Sequence, residues 1–182
     1  MSNLVLESKL YGDIDLIFIA ECYANYGFTE KLLTELNKRY RIKSKNIHKL
    51  IYSRDRILKE IDKIIKSRKF ENTKIIAVID FERGISRKFI EENFNLIQIS
   101  GLSIYIGVGK KWNNVYAVIF DPRIEEAFIC RFKEDICRNP FILRRIKSRE
   151  AREYVMQIFK NRKAEDYLDI IIDSLAKALG FM

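Results

Sequence analysis

The stretch Thr73–Glu82, TKIIAVIDFE, decides the architecture. Ile75 to Ile79 are apolar without a break, so an extended chain here has no polar face to show water. Such a strand is covered on both sides, as in a parallel sheet sandwiched between helices. It closes on Asp80 and Glu82, two positions apart and therefore on one side of an extended chain. Upstream, Ile14–Ala20 (IDLIFIA) has the same character and ends at Glu21; downstream, Val115–Phe120 (VYAVIF) ends at Asp121-Pro122.

Helical periodicity fills the intervals. Phe28–Tyr40 places Phe28, Leu32, Leu33 and Leu36 on one side, and Arg54–Lys69 does the same with Ile57, Leu58, Ile61, Ile64 and Ile65. A short helix over Ser86–Phe94 starts at a serine suited to its N-cap. Asn46–Tyr52 and Asn95–Ser100 read as strands, and Gly101–Asn114 as strand plus turn. Beyond Asp121 the pattern is helical, over Arg123–Phe132, Arg149–Phe159 and Glu165–Leu179. The expectation is an α/β fold with a mainly parallel central sheet and helices on both faces over residues 1–133. Residues 134–182 form a basic helical C-terminal extension packed on the same domain, reached through a short linker from Glu134 to Pro140.

Thirty-four Lys and Arg against 25 Asp and Glu leave the 182-residue chain at +9. That balance favours polyanionic partners, nucleic acid first; the plain alternative is the heavily charged surface of a thermostable protein. Apolar residues at 48% and charged residues at 32% describe a globular chain and exclude disorder or a collagen-like repeat. No apolar run reaches the ~18 residues of a membrane span, and the start MSNLVLESKLYGD lacks the basic-then-apolar order of a secretion signal. A cytoplasmic protein with no membrane partner is expected, with a homodimer left open.

Three cysteines without a C-x-x-C pair, and a single histidine, His48, argue against a zinc site or a disulfide framework. Cys130 and Cys137 read as buried apolar side chains on one helical face. Any metal is then held by carboxylates, which points to a hard ion, Mg²⁺ or Mn²⁺. Three strand candidates end in acid, at Glu21, at Asp80 with Glu82, and at Asp121. Parallel strands in an open sheet bring their C-terminal ends to one edge, where ligand sites gather. Carboxylates crowded there repel one another unless a cation neutralises them. Turns also favour Asp, so a single such acid would be ordinary; three in a basic chain suggest a metal-dependent phosphodiester site.

The order strand–Glu, helix, strand, helix, strand–Asp-x-acid resembles the Toprim catalytic domain of topoisomerases, bacterial primases and several nucleases. Glu21 stands where that family has its first acid, and Asp80-Phe81-Glu82 where it has Asp-x-Asp, with Glu in place of the final Asp. Asp121-Pro122-Arg123-Ile124-Glu125 is similar to an Asn-Pro-x-x-Glu element of phage-defence-related members, and Thr29-Glu30 resembles their Thr-Glu pair, as if Tyr23 to Gly27 were inserted before it. The resemblance spans about residues 14–130, and Cys22 follows Glu21 where the family usually has Gly. It implies phosphodiester chemistry with Glu21 as the catalytic acid–base or a further ligand, and Asp80, Glu82 and Glu125 as ligands of Mg²⁺ or Mn²⁺.

Candidates for holding a nucleic-acid backbone are Arg83, Lys110, Lys111 and the basic run Arg144, Arg145, Lys147 and Arg149. Trp112 beside two lysines adds an aromatic that could contact a base; a solvated hairpin tip explains it equally well. No Walker or dinucleotide-binding motif is present. The expected function is a metal-dependent nuclease or related phosphodiester-transfer enzyme. The alternative is a non-catalytic, basic α/β protein that binds nucleic acid or another partner.

Overall fold

The apolar runs become the strands. The computed structural model describes residues 16–40, 48–51, 54–67, 73–82, 84–139 and 149–182. In chain order these give β1 (Leu16–Ala20), α1 (Tyr23–Tyr40), β2 (His48–Ile51), α2 (Arg54–Lys66), β3 (Lys74–Asp80), α3 (Ile85–Asn93), β4 (Phe94–Gln98), β5 (Ile104–Gly109) and β6 (Val115–Phe120). A π-helical turn, Glu125–Ile129, runs into the short α4 (Cys130–Phe132), followed by α5 (Glu134–Cys137), α6 (Arg149–Ile158) and α7 (Arg162–Leu179).

The six strands form one sheet in the order β2-β1-β3-β6-β5-β4. Pairing is parallel from β2 through β6 and antiparallel for β6–β5 and β5–β4. The sheet is therefore mixed, which corrects the mainly parallel expectation. The reason is loop length: residues 99–103 and 110–114 are too short for a parallel crossover, which needs about a dozen residues or more.

Strand alternation divides the core between two faces. Leu16, Phe18, Ile76, Val78, Ile106, Val118 and Phe120 pack with side chains of α1, α6 and α7. Ile17, Ile19, Ile75, Ala77, Ile79, Ala117 and Ile119 pack with Ile57 and Ile61 of α2 and Ile90 of α3. Helices thus cover both faces, as expected. Helix α1 starts at Tyr23, five residues before the amphipathic pattern becomes readable. Within that first stretch a Cβ on Gly27 would lie 3.1 Å from the Arg152 carbonyl oxygen, so glycine lets α1 and α6 approach closely. The last helix has a clear start and stop: Asn161 accepts from the Lys163 N–H, and Gly180 adopts a left-handed C-cap at φ 75°.

Cys130 and Cys137 form a disulfide, with Cα atoms 5.5 Å apart. The expectation of two buried thiols on one helical face was wrong because the helix breaks at Lys133, whose backbone is non-helical. The reversal into α5 brings the two residues within bridging distance. It also replaces the anticipated 134–140 linker with a helical turn as far as Cys137. Among the described residues, no helix is long and apolar enough to cross a membrane.

Candidate carboxylate site

Parallel strands β1 and β3 end side by side, with Ala20 paired to Val78 and Asp80 paired to Phe120 of β6. The ladder runs one step further on each strand: Glu21 N–H donates to the Val78 carbonyl at 3.1 Å and Phe81 N–H to the Phe120 carbonyl at 2.8 Å. Glu21 and Asp80, 59 residues apart in sequence, meet there, and Asp80 N–H donates to Glu21 Oε2 at 3.0 Å.

Alternation along β3 turns Ile79 and Phe81 toward the α2–α3 face and leaves Asp80 on the α1 side. Asp80 is only 6% exposed. Its Oδ1 accepts from the Ile124 N–H at 3.0 Å and from Asn25 Nδ2 at 3.4 Å. Burial pushes its carboxyl well above the ordinary Asp range, and the charges of Glu21 and Glu125 push it further; the bonds from Ile124 and Asn25 pull it back only in part. Glu125 is also buried, 4% exposed, at the first position of the π-helical turn. Irregular turns of this kind recur at functional sites because they re-aim a side chain within a helix.

Glu82 is half-buried, with Oε1 3.8 Å from Arg123 Nε. The same guanidinium nitrogen reaches both Glu126 oxygens at 3.1 Å. Among the described residues Arg123 is thus a cation beside Glu82, and it is already committed to its helical neighbour Glu126. Cys22, in the place of the glycine usual in the resembling family, has its thiol pushed up to about 12, by burial first and by the Asp80 charge second. It is inert as a nucleophile at neutral pH. Thr29 Oγ1 donates to the Asn25 carbonyl at 2.7 Å, and Glu30 pairs with Arg152 at 2.5 Å, so the Thr-Glu pair lies one helical turn beyond the site.

The structure therefore brings together Glu21, Asp80 and Glu125, with Glu82 at their edge through Arg123. It does not bring Lys110 or Lys111 there. Both lie in the β5–β6 turn, at the start of β6, whereas Glu125 follows its end. Five residue steps along β6 separate Val115 from Phe120, or about 17 Å at ~3.3 Å per step. Lys110 Nζ donates to the Glu91 carbonyl at 2.7 Å, and its N–H to the Asn93 carbonyl at 2.8 Å, which caps α3. Arg149 is the first residue of α6. Arg83, Arg144, Arg145 and Lys147 lie outside the described residues.

Sequence reasoning missed Asn25. It is fully buried, donates to Asp80, and has an Oδ1 with no hydrogen-bond partner. Its signal was available: Asn25 lies on the stripe of Thr29, Leu32 and Leu36, where a polar residue is out of place. Starting the helix at Phe28 hid it.

Oxygen-only donors, two buried carboxylates and an orphaned buried amide oxygen fit a hard divalent cation. Among the described residues no group of three or more His, Cys, Asp or Glu side chains is placed to hold a metal ion. Mg²⁺ does not need one, since it usually takes one or two carboxylates and keeps several waters. No protein-family model, curated protein or solved structure matches the chain.

Proposed function

We propose that the chain is a divalent-cation-dependent nuclease or a related phosphodiester-transfer enzyme of Toprim type, acting on nucleic acid at the carboxylate site. The observation that supports it most is the crowding of Glu21, Asp80 and Glu125 at one buried strand edge of a chain with net charge +9. Burying like charges costs stability, most of all at Asp80, and a bound cation would offset that cost.

Asp80 and Glu125, with Glu82 nearby, would hold Mg²⁺ or Mn²⁺, and Asn25 Oδ1 supplies a neutral oxygen beside them. Once bound, the cation would polarise the phosphate and offset charge developing on its oxygens. Glu21 is half-buried and oriented by the Asp80 N–H, which suits it to take a proton from an attacking water or return one to the leaving oxygen. Arg123, at the rim, is placed to neutralise a scissile phosphate if it exchanges Glu126 for substrate.

The test is cleavage of end-labelled single- and double-stranded DNA and RNA with and without Mg²⁺ or Mn²⁺. Cation-dependent cutting that disappears in both Glu21→Gln and Asp80→Asn is expected. Cutting that persists in both variants would refute the assignment. A second reading has its own observation: the two bonds to Asp80 Oδ1 tie the 121–124 turn and α1 to β3, a purely structural task. It predicts no cleavage by the wild type and a loss of stability in Asp80→Ala that no cation alters.

A further inference from the structure

At the end of the sheet away from the carboxylates lies a cleft of about 340 Å³ that the chemistry above does not use. Its size falls within the ~300–1,000 Å³ of small-molecule sites. Three elements line it: α2 with Lys59 and Asp62, α3 with Phe89 and Asn93, and the β5–β6 turn with Lys111 and Trp112. The smaller cleft between α1 and α7 is different, because its Lys31, Lys38 and Arg39 are already matched by Glu35, Glu165 and Asp169.

The aromatic part of the larger cleft is held in place. A Cβ on Gly109 would come within 2.7 Å of the Trp112 carbonyl oxygen, so only glycine lets the turn fold back this tightly. The indole lies edge-on to Phe94, with ring centroids 6.2 Å apart. Phe89 and Trp112 both pack on the core while remaining half-buried, so each keeps aromatic surface open to the cleft. Lys59 and Lys111 are exposed, and among the described residues neither is in an ion pair, whereas Asp62 lies 3.4 Å from Lys66. Two uncommitted ammonium groups beside two partly open rings suit a ligand that is both anionic and aromatic.

We infer that this cleft binds a nucleoside phosphate, with the base against Trp112 and Phe89 and the phosphate between Lys59 and Lys111. Rings accept any base because every base has a π-face, and lysine binds phosphate as a point charge. The same chemistry serves a free nucleotide or one unit of a single strand. The site stands independently of the carboxylates, which lie at the other end of the strands.

Trp112 is the only tryptophan, so its fluorescence reports the cleft alone. The protein is titrated with adenosine monophosphate, adenosine, ribose 5-phosphate and a short oligoadenylate, with excitation where adenine does not absorb. Saturable quenching by the monophosphate is expected, with adenosine and ribose 5-phosphate each weaker by about tenfold or more, since loss of stacking or of phosphate contacts is each worth that much. Quenching by the oligonucleotide at much lower concentration would identify the single strand as the source; equal affinity per nucleotide would identify the free form. Lys59→Gln with Lys111→Gln, both exposed and harmless to the fold, should weaken the monophosphate by about tenfold or more. Asp80→Asn should leave it unchanged, which separates this site from the carboxylates. Absence of quenching by both adenosine monophosphate and the oligoadenylate, or quenching unaltered by the double lysine variant, would overturn the inference.

Discussion

At one end of β3 the Asp80 carboxylate is 6% exposed, with Glu21 and Glu125 beside it. At the other end stand Lys74 and, in the neighbouring turn, Lys110. Lys74 Nζ donates to the Leu179 carbonyl at 2.7 Å and Lys110 Nζ to the Glu91 carbonyl at 2.7 Å. Each lysine therefore meets the C-terminal carbonyls of a helix, where the unpaired oxygens and the helix dipole welcome a cation. Burial lowers the Lys74 pKa, but its ammonium has the Leu179 carbonyl as acceptor. The acids differ: burial disfavours the charge of Asp80, and Glu21 and Glu125 beside it oppose that charge further. The lesson is that a charge received by helix carbonyls can be told from a charge crowded by like charges, and the proposed cation site rests on the second kind.

The largest effect expected from this contrast is on chemistry. Asp80→Asn should lower cation-dependent cleavage by on the order of a thousandfold, the several kcal/mol that a metal's charge stabilisation represents. Because Asn keeps an acceptor for the Ile124 N–H and loses the buried charge, its melting temperature in cation-free buffer should equal or exceed that of the wild type. A large fall in melting temperature would make Asp80 a fold residue like the lysines.

Next in size is the response to the cation itself. At a hundredfold excess over Kd one native-state site adds about 2.7 kcal/mol. For a chain of this size that corresponds to roughly 5–10 °C in Tm, at ~2–4 °C per kcal/mol. Asp80→Asn should lose most of this shift, and Lys110→Ala none of it.

Acid and base should then act in an unusual direction at the carboxylate end. Asp80 has a folded pKa above its unfolded value, so the native state holds the extra proton between the two. Its contribution is harmless below the ordinary Asp range and turns into a growing loss of stability as pH rises through the folded value. Without cation, melting temperature should fall over that rise in the wild type and fall less in Asp80→Asn; calorimetry at several pH values checks it. An identical pH slope in both would place the coupling elsewhere.

The smallest effect is at the lysine end. Lys110→Ala removes a helix C-cap and should cost about 0.3–1 kcal/mol. That is about 1–4 °C in Tm, with cleavage at saturating substrate unchanged. A loss of cleavage without loss of stability would reverse the comparison.

Much of this was legible in the residues. β1, β3 and β6 announced themselves because burial on both faces demands unbroken apolar runs, and their terminal acids followed from the shared edge of parallel strands. Glu21 and Asp80 were found that way. The sense of β5 and β4 was not read correctly, although the short connections at 99–103 and 110–114 already forbade a parallel crossover. Other features depend on contacts that no local pattern carries. The first turns of α1 contain Asn25 and Gly27, poor helix formers held by packing on α6, so Asn25 was overlooked. The Cys130–Cys137 bridge depends on a break at Lys133 that periodicity does not register. Glu125 was reached only through the family resemblance, since its burial comes from a π-helical turn.

The claim that the buried acids form a cation site is tested most directly by titrating the cation-free protein with Mn²⁺ and following free Mn²⁺ by electron paramagnetic resonance. The account predicts saturable binding in the wild type, competed by Mg²⁺ and lost in Asp80→Asn. Equal binding by the two proteins, or none by the wild type, would contradict it.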